Sequence, residues 1–190
     1  MKDQYISPAQ VIRIRKKKLL SAHSWRRFFL ALICSAAAAY VLFGVVFGLA
    51  VAKGTSMNPA VRDGDVMFIN RLFISRMGSY ERGDLVVFSK IQGYENDCIK
   101  RVIGLPGETV DIENGQVTVD GEPLEEPYTI GETERKEFLA YPITLKSDEY
   151  FVMGDRRDNS RDSRNYGPVK KEQLIGKEMA FFRIQKRTQA

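Results

Sequence analysis

The sequence predicts a mainly β protein, in which one N-terminal transmembrane helix precedes an all-β domain of coiled antiparallel sheets. Three observations lead there. Phe28 to Ala52 is a run of 25 residues without a formal charge. Beyond it, short runs rich in Val, Ile, Phe and Tyr recur at close intervals. Turn-forming pairs such as Asn114-Gly115 and Pro106-Gly107 separate them, and amphipathic helical periodicity is missing.

Taken from the N-terminus, residues 1–27 carry eight basic side chains (Lys2, Arg13, Arg15, Lys16, Lys17, Lys18, Arg26 and Arg27) against one acid, Asp3. Basic residues this close to a span stay on the cytoplasmic side, so residues 1–27 are expected inside and residues 53–190 outside. Trp25 suits the interfacial belt. A helix over residues 28–52 is roughly 37 Å long at about 1.5 Å per residue. A hydrocarbon layer of about 30 Å is then crossed with some tilt. Ala50-Val51-Ala52 resembles the small-x-small end of a cleavable signal, but the apolar stretch far exceeds the roughly 7–15 residues of a signal h-region. A permanent anchor is expected.

Strands are expected at Val66–Asn70, Leu85–Ser89, Ile99–Ile103, Thr109–Ile112, Gln116–Val119, Tyr150–Met153 and Ala180–Ile184. Asn114-Gly115 between two alternating runs predicts a tight hairpin, because both residues accept positive φ. Lys170–Leu174 fits one helical turn. Residues 122–147, with Pro123, Pro127 and Pro142, read as an irregular excursion from the sheet.

The chain's net charge of +5 is misleading, since residues 1–27 contribute +7 and residues 28–190 sum to −2. The basic patch serves topology and lipid headgroups, and nucleic acid is excluded as a partner of the external domain. Cys34 falls within the span and Cys98 outside it, so no disulfide is expected. No Cys/His cluster suggests a metal, and no cofactor is expected. Asp155, Asp158, Asn159 and Asp162 offer oxygens for calcium, but the loop pattern is wrong and Arg156, Arg157 and Arg161 oppose a cation.

Ser56 follows the span by four residues and is a candidate nucleophile close to the membrane surface. The only histidine, His23, lies on the other side of the span. An imidazole-assisted serine is therefore excluded outside, and the base must be Lys, Asp, Glu or a terminal amine. Lys100 is one candidate. Strand alternation in Cys98-Ile99-Lys100-Arg101-Val102 puts Lys100 on the face of Cys98 and Val102, with Arg101 opposite.

Five blocks then appear in order: Ser56-Met57-Asn58-Pro59, Arg82-Gly83-Asp84-Leu85-Val86-Val87-Phe88, and Ile99-Lys100-Arg101-Val102-Ile103-Gly104-Leu105-Pro106-Gly107-Glu108; next Gly154-Asp155-Arg156-Arg157-Asp158-Asn159-Ser160-Arg161-Asp162-Ser163-Arg164; and last Ile175-Gly176-Lys177. Their order and wording resemble bacterial type I signal peptidases, in the short form of Gram-positive bacteria. The resemblance implies a membrane-anchored serine endopeptidase that removes signal peptides from exported preproteins. It implies Ser56 as nucleophile, Lys100 as general base and Ser160 as the hydroxyl orienting that lysine. It also implies ion pairs Asp162–Arg164 and Asp155–Arg101, and a substrate pocket lined by Met57, Cys98 and Ile99. Implied partners are preproteins with Ala-x-Ala-type signal peptides, membrane lipids and secretion machinery nearby.

The sequence departs from the family pattern at Gly54, where many relatives have a serine assisting the oxyanion hole, and at Cys98, where tyrosine is usual. Arg156 replaces an asparagine, and Ala60-Val61 replaces Thr-Leu. The alternative is a non-catalytic or narrowly dedicated signal-peptidase-like factor for assembling surface subunits such as pilins.

Overall fold

A computed structural model describes residues 8–71, 80–89, 91, 96–137 and 139–183. The chain divides into two compact units, Met1–Gly44 and Val45–Ala190. Helix α1 runs from Pro8 to Val46. Its side chains before Trp25, those of His23 and the basic residues from Arg13 to Lys18 among them, lie outside the described residues, as do Lys2, Asp3 and Ile184. Among the described residues, no helix is long and apolar enough to cross a membrane.

The C-terminal end of the expected helix is corrected. Phe47–Val51 is strand β1, paired antiparallel over five positions with β2, Val66–Asn70. Alternating apolar residues with a β-branched end suit a pleated edge strand. The ladder to β2 overrides their continuity with the helix.

Further strands are β3 (Leu85–Phe88), β4 (Cys98–Gly104), β5 (Thr109–Glu113), β6 (Gln116–Val119), β7 (Glu122–Pro123), β8 (Ile143–Thr144), β9 (Glu149–Met153), β10 (Val169–Lys170) and β11 (Leu174–Phe182). A seven-stranded sheet has the order β1-β2-β11-β3-β4-β9-β10, and a four-stranded sheet the order β7-β6-β5-β8. All pairings within them are antiparallel. Short helical turns occupy Arg157–Asn159, Ser163–Tyr166 (α2) and Lys171–Gln173. The last is the single turn expected near Lys170. The mainly β architecture of curled sheets agrees with the sequence.

The β5–β6 hairpin closes at Asn114 (φ 50°) and Gly115 (φ 82°), with Glu113 opposite Gln116. Val110, Ile112 and Val117 point inward, packing with Ile103, Leu145, Phe151 and Met153. The two sheets therefore share this core. A Cβ on Gly104 would lie 2.5 Å from Val110 and 2.8 Å from Leu145, so the close approach needs glycine. A second core under β3 joins Val86, Phe88, Val102, Tyr150 and Val152. A third, of Ala52, Met57, Val61, Met67, Ile69, Leu85 and Val87, lies beneath the loop that carries Ser56.

Candidate active site

The loop after β1 is built to hold a bend rigidly. Ala52 ends the ladder with its N–H donated to Asp65 O at 2.9 Å. Gly54 takes φ +89°, a conformation other residues rarely adopt, and donates its N–H to Asp63 Oδ1 at 2.8 Å. Asn58 N–H returns to Thr55 O and Val61 N–H to Met57 O. Met57 and Val61 sink into the core below, which leaves Ser56 between a buried anchor and the open side.

Lys100 comes from β4. Its strand pairs β3 from Cys98 to Arg101, whereas pairing with β9 begins only at Arg101. Lys100 is 6% exposed, and its Nζ lies 2.9 Å from Ser56 Oγ and 2.9 Å from Ile99 O. Burial lowers its pKa from the ordinary lysine value of 10.5 by disfavouring the ammonium; Cys98, Asp162 and Asp155 pull the other way without offsetting it. A neutral amine accepts the hydroxyl proton of Ser56 along this same contact.

The loop after β9 locks both residues from behind. Arg156 N–H donates to Ser56 O at 3.0 Å, and Asn159 Nδ2 donates to Thr55 Oγ1 at 2.9 Å. Arg101 grips Asp155 through two hydrogen bonds of 2.8 and 2.6 Å and donates to Gly83 O at 2.8 Å. Arg164 grips Asp162 at 2.9 Å, both side chains being wholly buried. Burial pushes the Asp162 carboxyl up, but Arg164 and the Gly154 N–H outweigh it and the net shift is down. The carboxylates of the supposed calcium loop thus face arginines: Asp155 faces Arg101, Asp158 faces Arg156 and Asp162 faces Arg164.

Ser160 is the one residue whose contact differs from expectation. Its buried hydroxyl lacks a hydrogen-bond partner of ordinary geometry, and none is made to Lys100. It lies close enough to Asp162 to help hold that carboxyl down.

A cleft of about 720 Å³ opens above the pair, with Ala50, Ala52, Met57, Cys98 and Ile99 in its wall. The three residues expected to line a substrate pocket are all there. Cys98 is partly buried, and burial raises its thiol pKa, which keeps it protonated.

The sequence matches the model of the family described as Signal peptidase, peptidase S26, over residues 25–183. It is 32% identical over 171 residues to Signal peptidase I S of Bacillus subtilis (strain 168), covering 85% of this chain and 88% of that one. It is 34% identical over 154 residues to a Signal peptidase I of Bacillus amyloliquefaciens, covering 77% and 81%. The chain belongs to the signal peptidase family, peptidase S26. A signal peptidase I from Enterococcus faecalis V583 with a solved structure is 31% identical, covers 53% of this chain and 97% of its own, and has a TM-score of 0.45.

As a signal peptidase family member, the chain brings together the residues its sequence singled out: Ser56 with Lys100, Asp155 with Arg101, Asp162 with Arg164, and Met57, Cys98 and Ile99 around one cleft. Several participants escaped sequence reasoning. Asp63 carried no signal beyond its place in a turn. Asn159 sat inside a quoted block, weighed only as an oxygen for calcium and not as a partner of Thr55. Glu126 and Tyr128 lie in the irregular excursion, where no periodicity marks a residue as buried.

Proposed function

We propose that this chain removes N-terminal signal peptides from exported preproteins, with Ser56 as nucleophile and Lys100 as general base. The observation that carries the reading is the 2.9 Å contact between Lys100 Nζ and Ser56 Oγ in a buried setting that lowers the lysine pKa. The sequence has no histidine after His23, so lysine takes the role that an imidazole has elsewhere.

Neutral Lys100 accepts the Ser56 proton as Oγ bonds to the scissile carbonyl carbon. The proton passes to the departing amine nitrogen as the C–N bond breaks, leaving an acyl ester on Ser56. Lys100 then takes a proton from water, whose oxygen bonds to the acyl carbon. The ester C–O bond breaks and the proton returns to Ser56. Ser56 N–H is the oxyanion donor in this reading. Gly54 N–H does not assist, because Asp63 already accepts it.

Substrate binding follows from two strand edges. Among the described residues, the outer edge of β1 lacks a neighbouring strand in the sheet order, and β4 lacks β9 alongside Cys98–Lys100. An extended peptide seated between them gains backbone hydrogen bonds on both sides. The cleft wall of Ala50, Ala52, Met57 and Ile99 favours small apolar side chains at the cut, in keeping with Ala-x-Ala substrates. Asp155–Arg101 and Asp162–Arg164 are assigned supporting roles, and Ser160 one beside Asp162.

A single-pass anchor with the N-terminus in the cytoplasm completes the reading. It is supported by the basic residues before the uncharged run and by the exposed side chains of Phe28, Phe29, Leu30, Leu32, Ile33, Val41 and Phe43. Leu49, Val51, Met179 and Phe182 leave the β1-β2-β11 part of the sheet with an exposed apolar surface suited to lipid.

Cleavage of an Ala-x-Ala preprotein in liposomes, comparing wild type with Lys100→Met, tests the proposal. Cutting by wild type alone supports it. Cutting by both removes Lys100 as base. Cutting by neither, with preprotein still bound, moves a non-catalytic assembly factor ahead; no structural feature favours that reading now.

A further inference from the structure

The excursion from residue 122 to 147 has no part in the dyad, yet one stretch of it is sewn into the site's foundation. Thr129 N–H and Thr129 Oγ1 both donate to Glu126 O, at 3.1 and 2.9 Å, making a tight turn over Glu126-Pro127-Tyr128-Thr129. Ile130 then forms a parallel bridge astride Arg156: its N–H donates to Asp155 O at 2.9 Å and its O accepts from Arg157 N at 2.7 Å. Between those two bonds, Arg156 N–H reaches Ser56 O.

The side chains of the same turn hold the same loop. Glu126 receives both terminal nitrogens of Arg157, one at 2.8 Å, and the two side chains are 8% and 1% exposed. Arg157 also donates to Thr133 Oγ1 at 2.8 Å and to Gly154 O at 3.1 Å. Tyr128 gives its hydroxyl to Glu126 Oε1 at 3.0 Å. Its ring lies 4.1 Å below the Arg101 guanidinium, whose partner is Asp155. One short turn therefore touches both halves of the dyad at one remove. Through Arg101 it braces the strand residue next to Lys100, and through the loop from Asp155 to Arg157 it braces the carbonyl of Ser56.

We propose that Glu126 and Tyr128 are positioning residues of the peptidase, holding Ser56 and Lys100 in register from the excursion. This rests on the assignment of those two residues as nucleophile and base. A buried ion pair is weak evidence of a contribution to stability, because desolvating both partners offsets much of their attraction. Here the Glu126–Arg157 pair coincides with backbone bonds that end at Ser56, which is a placement for precision. Proton transfer over a 2.9 Å contact tolerates little displacement.

The test uses the full-length protein in liposomes with an Ala-x-Ala preprotein, measuring kcat, KM, the pH profile and denaturant stability. Tyr128→Leu removes both the ring over Arg101 and the hydroxyl on Glu126, and leaves the Glu126–Arg157 pair in place. The expected result is a fall in kcat of roughly 10- to 100-fold, with KM unchanged within about twofold. The rising limb of the profile moves to higher pH, because a loosened site admits water to Lys100. Among the described residues, the charged and titratable groups that act on Lys100 are Cys98 from its own strand and Asp155 and Asp162 from the loop, Arg161 lines the same cleft, and none of these is altered. Tyr128→Phe, which keeps the ring, restores most of the rate. Glu126→Asp, which keeps the charge but shortens its reach, gives the same pattern if Tyr128→Leu does not fold. Lower stability with wild-type kcat and an unmoved limb overturns the proposal by reducing the turn to a structural prop. If Lys100→Met cleaves like wild type, the dyad assignment fails and the proposal falls with it.

Discussion

The Cβ that Gly154 lacks would lie 2.2 Å from Ser160 Oγ and 2.7 Å from the carbonyl oxygen of Ser56. Glycine here is a matter of space, since its backbone is not in the left-handed region. The loop after β9 comes against the nucleophile loop at this point, and a methyl group would push them apart. Gly154→Ala is expected to lower kcat by about 100-fold or more. Its thermal midpoint should fall by less than that of a core truncation such as Phe151→Ala. A variant with wild-type kcat would show that the contact does not set the dyad's geometry.

Ser56→Ala and Lys100→Met should each abolish cleavage while leaving the fold intact, for neither side chain fills the hydrophobic core. Residues acting as a unit are not additive, so the double variant should be scarcely slower than either single one. Single-turnover cleavage by the three proteins checks this. Additive losses would mean that Ser56 and Lys100 act in separate steps.

Activity should rise with pH, following deprotonation of Lys100, and level off below 10.5 because burial lowers that residue's pKa. Stability carries a related signature. Between the lowered folded pKa and 10.5 the unfolded chain binds more protons at this lysine than the folded one, so Lys100's contribution to stability increases with pH there. In Lys100→Met both features should disappear, measured by rate profiles and by denaturation midpoints at stepped pH. Persistence of the rising midpoint would assign it to another group.

What the sequence revealed and what it hid follow from the range of the interactions. Asn114-Gly115 is a local signal, and its hairpin stands where expected with both residues at positive φ. The strand order is not local: β11 lies between β2 and β3 although more than eighty residues separate it from either. For Phe47–Val51, apolar continuity with the preceding helix masked a strand whose partner, β2, lies 15 residues further on. The pairing of Ser56 with Lys100 was legible because the lack of a histidine after His23 pointed to another base and the family blocks marked both residues. Glu126, Tyr128 and Asn159 act through contacts 27 to 104 residues away, and no spacing along the chain announces them.

Acid should expose the second buried pair. Asp162's pKa is held below 3.8, chiefly by Arg164 against the opposing effect of burial, so its contribution to stability is complete above that value and is lost as pH falls through the folded pKa. Asp162→Asn leaves Arg164 buried without its anion, which costs about 3–5 kcal/mol in such settings. The acid limb of the variant's stability curve should be flatter than that of wild type. Urea denaturation between pH 2 and pH 7 distinguishes the cases: parallel curves would show that Asp162 does not titrate with unfolding.

Ala50-Val51-Ala52 matches the small-x-small pattern of the substrates proposed for this chain, yet self-cleavage after Ala52 is not expected. Ala52 is 5% exposed, its N–H is bonded to Asp65, and the preceding residues form a five-position ladder with β2. A protease needs an extended, accessible backbone, so β1 would first have to be stripped from β2. The scissile bond would also lie only four residues from Ser56 on the same loop, too near to fold back onto its own hydroxyl. Mass spectrometry of the purified protein should show the same N-terminus in wild type and Ser56→Ala. A fragment beginning at Lys53 in wild type alone would mean that β1 opens often enough for a second molecule to cut it.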